Sequence, residues 1–450
     1  MLRSSFLLVA TAFLYLAAPA SLAKQDTAPS CTFNVMSISL SGRNWAYTPS
    51  ADPSHHEEDS HIVYIGVRLS DFDYGVINVQ EDHSLGFHNT LYRYDRHPFH
   101  TKFSTDFWFD PGLSTISKYS WLDFACLEWH GRVTATETRE AWDLASCGSI
   151  TIRRAPGDKR WKIQQLADFI DANSVGNAVI IFGNTNSLYT SPEDNIRILT
   201  IQNGLTDAWV QAIGGNTPAV GANQMVCPPG IPSNISCEGV DKIFYRGSPI
   251  INLTSSGFFY DTSRFLSPEG IPLADRNPVR VEFEYTLKPG LRQSDLGGGP
   301  HGTWFNDLHL IPSSPALSSI TLRGGNRLDG LTLILTSGQA FVHGGWGGNP
   351  YWLTLASGEY ITVVKLCWGK RNGHTRIFYA RAITNIGGSV QAGKVTENCT
   401  NATAPSGYGV VGTYGRAGDE IDQLGFIYGE QSPQVTPAAG GVYATKVSER

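Results

Sequence analysis

The stretch VIIFGNTNSLY, residues 179–189, decides how this chain is read. Val179, Ile180, Ile181 and Phe182 form an apolar run bounded by Gly183, which reads as a buried β-strand. The run ends in a small polar cluster, Asn184-Thr185-Asn186. A strand that stops at such a cluster is where α/β enzymes place their chemistry. A catalytic cluster at that point normally carries a carboxylate, whereas this one carries two amides. The stretch is therefore an active-site position with its charge removed, or an ordinary Asn-rich turn.

Reading outward, RWKIQQLADFIDANS (160–174) places Ile163, Leu166, Phe169 and Ile170 on one helical face. EDNIRILTIQNGLTDAWVQAIGG (193–215) reads as another helix with an interruption near Asn203-Gly204. GVDKIFYRGS (239–248) and RVEFEYTL (280–287) read as strands. This alternation predicts an α/β layered domain from about residue 28 to 290. After about residue 296 the texture changes. Short alternating runs are separated by Gly clusters: LGGGPHG (296–302), RGGNRLDG (323–330), VHGGWGGN (342–349) and GRAGD (415–419). No helical period survives there, which predicts an all-β domain over 291–430, joined through a linker at TLKPGLRQSD and followed by a flexible tail, 431–450.

The composition fits. Of 450 residues 41% are hydrophobic and only 16% charged, and 47 Gly with 11 Trp favour β-rich structure with many turns. A net charge of −6 gives no electrostatic case for nucleic acid. After the N-terminus no apolar run is long enough for a membrane span. Residues 1–23 read as a secretory signal: Arg3, then SFLLVATAFLYLAAPA, with Ser21 and Ala23 before Lys24. A secreted, extracellular chain follows, with four Asn-X-Ser/Thr sites at Asn234, Asn252, Asn398 and Asn401. Seven cysteines in an oxidising compartment imply disulfides. Cys227–Cys237 is the first pair expected and Cys367–Cys399 the second. Cys31, Cys126 and Cys147 remain, so one is unpaired or intermolecular.

CTFNV (31–35), INVQED (77–82), VIIFGNTN, GVDKIFYR (239–246) and PLADRNPV (272–279) occur in that order. Together they resemble the strand-end motifs of the endonuclease/exonuclease/phosphatase superfamily, in particular its secreted, sphingomyelinase-like branch. The resemblance implies an α/β sandwich and Mg²⁺-dependent phosphodiester chemistry, with Mg²⁺ held by Glu81. It also implies that Asn34 orients the phosphate, and that Asn184, Asn186, Asp241, Asp275 and Arg276 occupy the remaining site positions. Three departures argue against turnover. Asn184 stands where an Asp belongs and cannot accept a proton. Arg276 stands where a His belongs and cannot shuttle protons at neutral pH. A strand carrying His-X-Asp has no counterpart between GSITIRR (148–154) and the helix, unless WDLASCG (142–148) is its remnant, with Ala145 and Cys147 replacing both groups.

ITLRGGNRLDGLTLILTSG, HGGWGGNPYWLTLASGEYITVV and GYGVVGTYGRAGDEIDQLGFIYG look like jacalin-type lectins, an all-β prism of three four-stranded sheets, over about 296–429. The resemblance assigns sugar binding to Gly418, to the backbones of Asp419 and Glu420, and to the Asp422 carboxylate on an exposed loop. Gly297, Gly298 and Gly299 form a second wall. Ile421 points into the core, Trp346 is a candidate to stack on a sugar, and His301 and His343 show no metal-ligand pattern. No cofactor is required for sugar binding, and mannose- or glucose-type sugars are favoured because no chain break precedes the first Gly loop. The expected whole is a secreted carbohydrate-binding protein with a degenerate phosphodiesterase-like domain. The alternative is an active Mg²⁺-dependent hydrolase that the lectin domain targets to glycans. The sequence leaves the oligomeric state open.

Overall fold

The computed structural model describes residues 31–40, 61–82, 85–101, 112–121 and 159–431 in full, and the backbone alone at 6–7, 30, 56–60, 127–128, 150–151 and 156–158. The signal-peptide reading, apart from a short strand at Phe6–Leu7, lies outside these residues. So do the C-terminal tail beyond 431 and WDLASCG, the segment aligned with the His-X-Asp strand. The chain divides into two units, Met1–Pro289 and Gly290–Arg450.

The first unit stacks two sheets. One has six strands in the order Ile251–Tyr260, Val279–Leu287, Ser30–Ser39, Val76–Gln80, Leu113–Ser117 and Phe99–His100. The other has four: Ile150–Thr151, Val179–Asn184, Asp241–Arg246 and Thr206–Asp207. Strand periodicity explains the core. In Ser30–Ser39 the odd residues Phe33 and Val35 join Val179–Phe182, Ile243 and Phe244 between the sheets. The even residues Met36 and Ile38 pack outward with Ile62, Ile65, Leu69 and Leu91, under the helices His56–Asp71 and Leu85–Tyr94. The helix Pro156–Asn173 covers the smaller sheet with Ile163, Leu166, Ala167 and Ile170 buried, and Phe169 partly so.

The predicted helix of 193–215 is two short ones, Ile198–Ile201 and Ala208–Ala212. Gly204, at φ +64°, breaks the first. Asp207 then caps the second by accepting from the Trp209 and Val210 backbone N–H groups.

A buried ion cluster ties the outer helical layer to the six-stranded sheet. Asp95 Oδ1 lies 2.6 Å from His97 Nδ1, and Asp95 Oδ2 lies 2.7 Å from His100 Nε2. His97 Nε2 meets the Tyr74 carbonyl at 2.7 Å. Carbonyl and carboxylate only accept, so both ring nitrogens of His97 carry protons. Burial opposes that charge, but the Asp95 and Tyr74 bonds outweigh it and raise the His97 pKa above 6.5. Burial also opposes ionisation of Asp95, yet the bonds from His100 and His97 hold its carboxyl well below the usual range. The His97 contribution is complete below its unfolded pKa and is lost as pH rises through the raised one. The Asp95 contribution is complete above its unfolded pKa and is lost as pH falls through the depressed one. The expected result is a thermal midpoint of this unit that falls by a few degrees on going from pH 6 to pH 9. His97→Gln should flatten that slope in calorimetric scans; an unchanged slope would refute the assignment.

The second unit is a prism of three antiparallel sheets. Leu291–Gln293 and Gly297–Gly298 both pair with Ile421–Glu430, followed by Tyr408–Ala417 and Thr303–Asn306. The second sheet is ordered Ala340–Gly344, Leu328–Leu335, Leu317–Gly324, Asn349–Thr354, and the third Ser389–Gly393, His374–Thr384, Ile361–Arg371, Asn398–Thr403. The linker reading of TLKPGLRQSD is corrected. Residues up to Leu287 belong to the first unit's edge pair, and Leu291–Gln293 is already a strand of the prism. Cys227–Cys237 and Cys367–Cys399 are disulfides, and Cys31 is a free, exposed thiol.

Candidate functional sites

In the first unit the strand ends gather one polar cluster. Ser37 Oγ donates to Asp241 Oδ1 at 2.9 Å, and Gln80 Nε2 donates to the same oxygen at 2.9 Å and to Ser37 at 2.6 Å. Asn184 stands directly opposite Asp241 in the antiparallel pair, so their side chains share a face. Asn184 Oδ1 accepts from the Asn186 backbone N–H at 2.8 Å, which fixes the orientation of the amide and leaves its NH₂ a buried donor. Glu81 follows Gln80 directly. It is 4% exposed and receives Arg276 Nη2 at 3.4 Å. Arg276 is held there because the Asp275 N–H donates to the Ser39 carbonyl. Glu81 and Asn186 both adopt left-handed backbone, φ +63° and +48°. Such outliers concentrate at functional positions. Asp82 turns away, taking His88 Nδ1 and Ser114 Oγ, each at 2.7 Å.

The structure thus brings together Glu81, Asn184, Asn186, Asp241, Asp275 and Arg276. It does not bring Asn34. Parallel register pairs Val35 with Val76 and Ser39 with Gln80, so Asn34 sits five residues, roughly 16 Å, from the end of its strand. Its Oδ1 accepts from the Gly75 N–H at 2.8 Å, and its role there is structural. The residues the first strand does contribute are Ser37 and Ser39, which sequence reasoning missed. Their signal was available in VMSISL, where Ser alternates with buried Met36, Ile38 and Leu40.

The site implied for Mg²⁺ does not suit it. A divalent cation needs several oxygen ligands. Here the Glu81 carboxylate faces a guanidinium, the Asn184 NH₂ and Arg276 Nη1 are buried donors, and among the described residues no group of three acids, His or Cys is placed to hold a metal.

In the prism, Gly298 crosses the final loop so closely that a Cβ would lie 2.3 Å from the Asp422 carbonyl, and its φ is +107°. Gly299 N–H donates to that carbonyl at 3.0 Å, and Gly418 N–H to the Glu420 carbonyl at 3.0 Å. Gly418 and Asp419 are exposed, and Ile421 is buried. The placement of Asp422 on an exposed loop is corrected: it is 3% exposed, its carboxylate pairs with Arg376, and burial raises its pKa. The strand Ile421–Glu430 begins one residue before it, which draws the side chain under the Gly297–Gly302 loop. The Glu420 carboxylate organises arginines, accepting Arg327 Nε at 2.8 Å and also Arg371, and the Arg327 bond lowers its pKa. Trp346 is 77% exposed, with the Arg323 guanidinium 5.5 Å over its ring. His343 is structural, bonded to Asp307 at 2.8 Å and stacked on Phe305, while His301 lies on the surface against His374.

Two sandwiched sheets with a polar cluster at their strand ends, and a three-sheet prism with a Gly-loop site, define the two classes of domain. Residues 294–427 match the jacalin-like lectin domain family, and the C-terminal unit is such a domain. Over 243 residues the chain is 30% identical to the sphingomyelinases of Mycobacterium tuberculosis and Mycobacterium bovis, a match covering 49% of this chain and 47% of theirs. The chain thus spans about half the length of these curated relatives. A secreted RxLR effector protein of Plasmopara viticola is 29% identical over 157 residues, 33% of this chain and 86% of that protein. Malaysian banana lectin is similar at 23% identity, covering 32% of this chain and all of the lectin, with TM-score 0.28. A mannose-binding jacalin-related lectin from Ananas comosus is similar at 24%, covering 31% and 99%, also with TM-score 0.28.

Proposed function

We propose that the protein is a secreted carbohydrate-binding protein whose jacalin-like domain does the binding, joined to a sphingomyelinase-like domain without hydrolytic activity. The observation that carries the first half is the crossing of Gly298 and Gly299 over the Asp422 backbone beside the exposed turn Gly418-Asp419. Backbone N–H groups on a tight, open turn match the hydroxyls of a neutral hexose and need no metal, and the buried Asp422 carboxylate, paired with Arg376, sets the backbone beside that turn. Mannose- or glucose-type sugars are the ligands favoured, with single-site affinity of roughly millimolar strength, since few atoms are buried. Asn234, Asn252, Asn398 and Asn401 are all exposed and suit the glycosylation that secretion implies. The second half rests on Asn184 and Arg276, neither of which moves a proton at neutral pH.

A glycan array on the full chain tests the binding, with circular dichroism as folding control. Asp422→Asn should lose binding at least tenfold. Because the Asp422 pKa is raised, wild-type binding should also fail on acidification at a higher pH than an ordinary carboxylate would dictate. If folded Asp422→Asn binds as wild type does, the sugar sits elsewhere. Mg²⁺-dependent turnover of sphingomyelin that Glu81→Gln removes would instead establish the targeted hydrolase.

A further inference from the structure

The Glu81 carboxylate is buried, and a buried charge persists only beside a compensating one. Its neighbour is a guanidinium, Arg276 Nη2 at 3.4 Å. Two features show that this contact is built into the fold. The Asp275 N–H to Ser39 carbonyl bond pins the segment that carries Arg276 to the end of the first strand. Ser39 is in turn the register partner of Gln80, the residue before Glu81. With Arg276 in place the surroundings suit a metal poorly. The Asn184 NH₂ and Arg276 Nη1 are buried donors without a partner among the described residues, while Asp82 Oδ2 is engaged by His88 and Ser114 and its Oδ1 is a buried acceptor. A cation requires lone pairs where the two donors present hydrogens, and the guanidinium is the larger obstacle.

We infer that Arg276 is a built-in counter-cation: its guanidinium occupies the electrostatic position of a divalent metal at Glu81, so the N-terminal unit keeps its buried carboxylate with no metal bound. The corollary is that removing the guanidinium opens a weak Mg²⁺ or Mn²⁺ site. This holds whether or not the lectin domain takes a sugar.

The test compares the full wild-type chain with Arg276→Gln and with the double variant Glu81→Gln/Arg276→Gln. Calorimetric unfolding is recorded in EDTA, in MgCl₂ and in MnCl₂, and bound Mn²⁺ is counted by electron paramagnetic resonance. Wild type should unfold at the same temperature in all three and bind no Mn²⁺ in this unit. Arg276→Gln should unfold several degrees lower in EDTA, recover most of that loss with either cation, and bind one Mn²⁺. The double variant should regain stability in EDTA and lose the cation response. Should Arg276→Gln fail to fold in EDTA, refolding rescued by Mn²⁺ supports the inference, and a variant no cation rescues overturns it. Wild type that is stabilised by Mg²⁺ and binds Mn²⁺, with both effects lost in Glu81→Gln, overturns it as well.

Discussion

Replacing Glu238 by Ala should destabilise the N-terminal unit by about 3–5 kcal/mol, the usual cost of stripping one partner from a buried ion pair. Lys242 and Glu238 are both buried, with Nζ to Oε1 at 2.8 Å. The ammonium is boxed in by the faces of Tyr189 and Trp209, 4.8 and 5.3 Å from their ring centres. The same Glu238 oxygen accepts from the Tyr189 backbone N–H at 2.8 Å. The variant therefore strands a backbone donor and strips the ammonium of its paired carboxylate, leaving Lys242 only the Gly239 carbonyl at 3.3 Å and the attraction of Asp207. Water cannot reach either without opening the core around Trp209. The double variant Glu238→Gln/Lys242→Met should recover part of the loss, because it removes the buried ammonium, but not all of it, because Lys242 also favours the charged form of buried Asp207. Urea denaturation followed by fluorescence measures both. A single-variant loss under about 1 kcal/mol would mean that Lys242 finds another partner.

Gly298→Ala should cost sugar binding at least tenfold, about 1.4 kcal/mol or more. The added Cβ meets backbone: 2.3 Å from the Asp422 carbonyl oxygen and 3.0 Å from the Gln423 Cα. No rotamer change relieves such a clash, and φ of +107° is itself hostile to an L side chain. The Gly297–Gly302 loop must lift off the final strand, taking with it the Gly299 N–H bond to Asp422. Overpacking and strain together suggest a stability loss of roughly 1–3 kcal/mol. Gly418→Ala, itself in the proposed sugar-binding turn, is the matched control for stability alone. Its Cβ meets nothing within 4 Å, so the fold should barely respond. Titration with a mannose-rich glycan and thermal melting of both variants decides the matter. Unimpaired binding by Gly298→Ala would remove the first loop from the site.

The sequence alone determined the division into an α/β unit and an all-β unit. Periodicity near 3.6 over 160–174, period 2 over 280–287 and Gly punctuation after 296 are local properties that no tertiary contact needs to supply. It also ranked the two disulfides first, because Cys227 and Cys237 lie ten residues apart and Cys367 and Cys399 are the only two cysteines in the C-terminal third, although spacing alone does not fix connectivity. The positions of Asn184 and Arg276 at the strand ends were legible for the same reason, since a strand that ends in polar residues marks its own end.

What the tertiary structure decided was register and burial. Asn34 was misplaced because a motif reports which strand a residue is on, while the pairing of Ser39 with Gln80 sets which end of the sheet it reaches. GDEID has the composition of a surface turn, which by itself suggests an exposed Asp422. Only the crossing of the Gly297–Gly302 loop, between residues more than a hundred positions apart, buries its carboxylate against Arg376. The partnership of Arg276 with Glu81 is of the same kind, joining positions 195 residues apart. Sequence spacing carries no information about such pairs, because chain ends and loops converge through the packing of whole sheets.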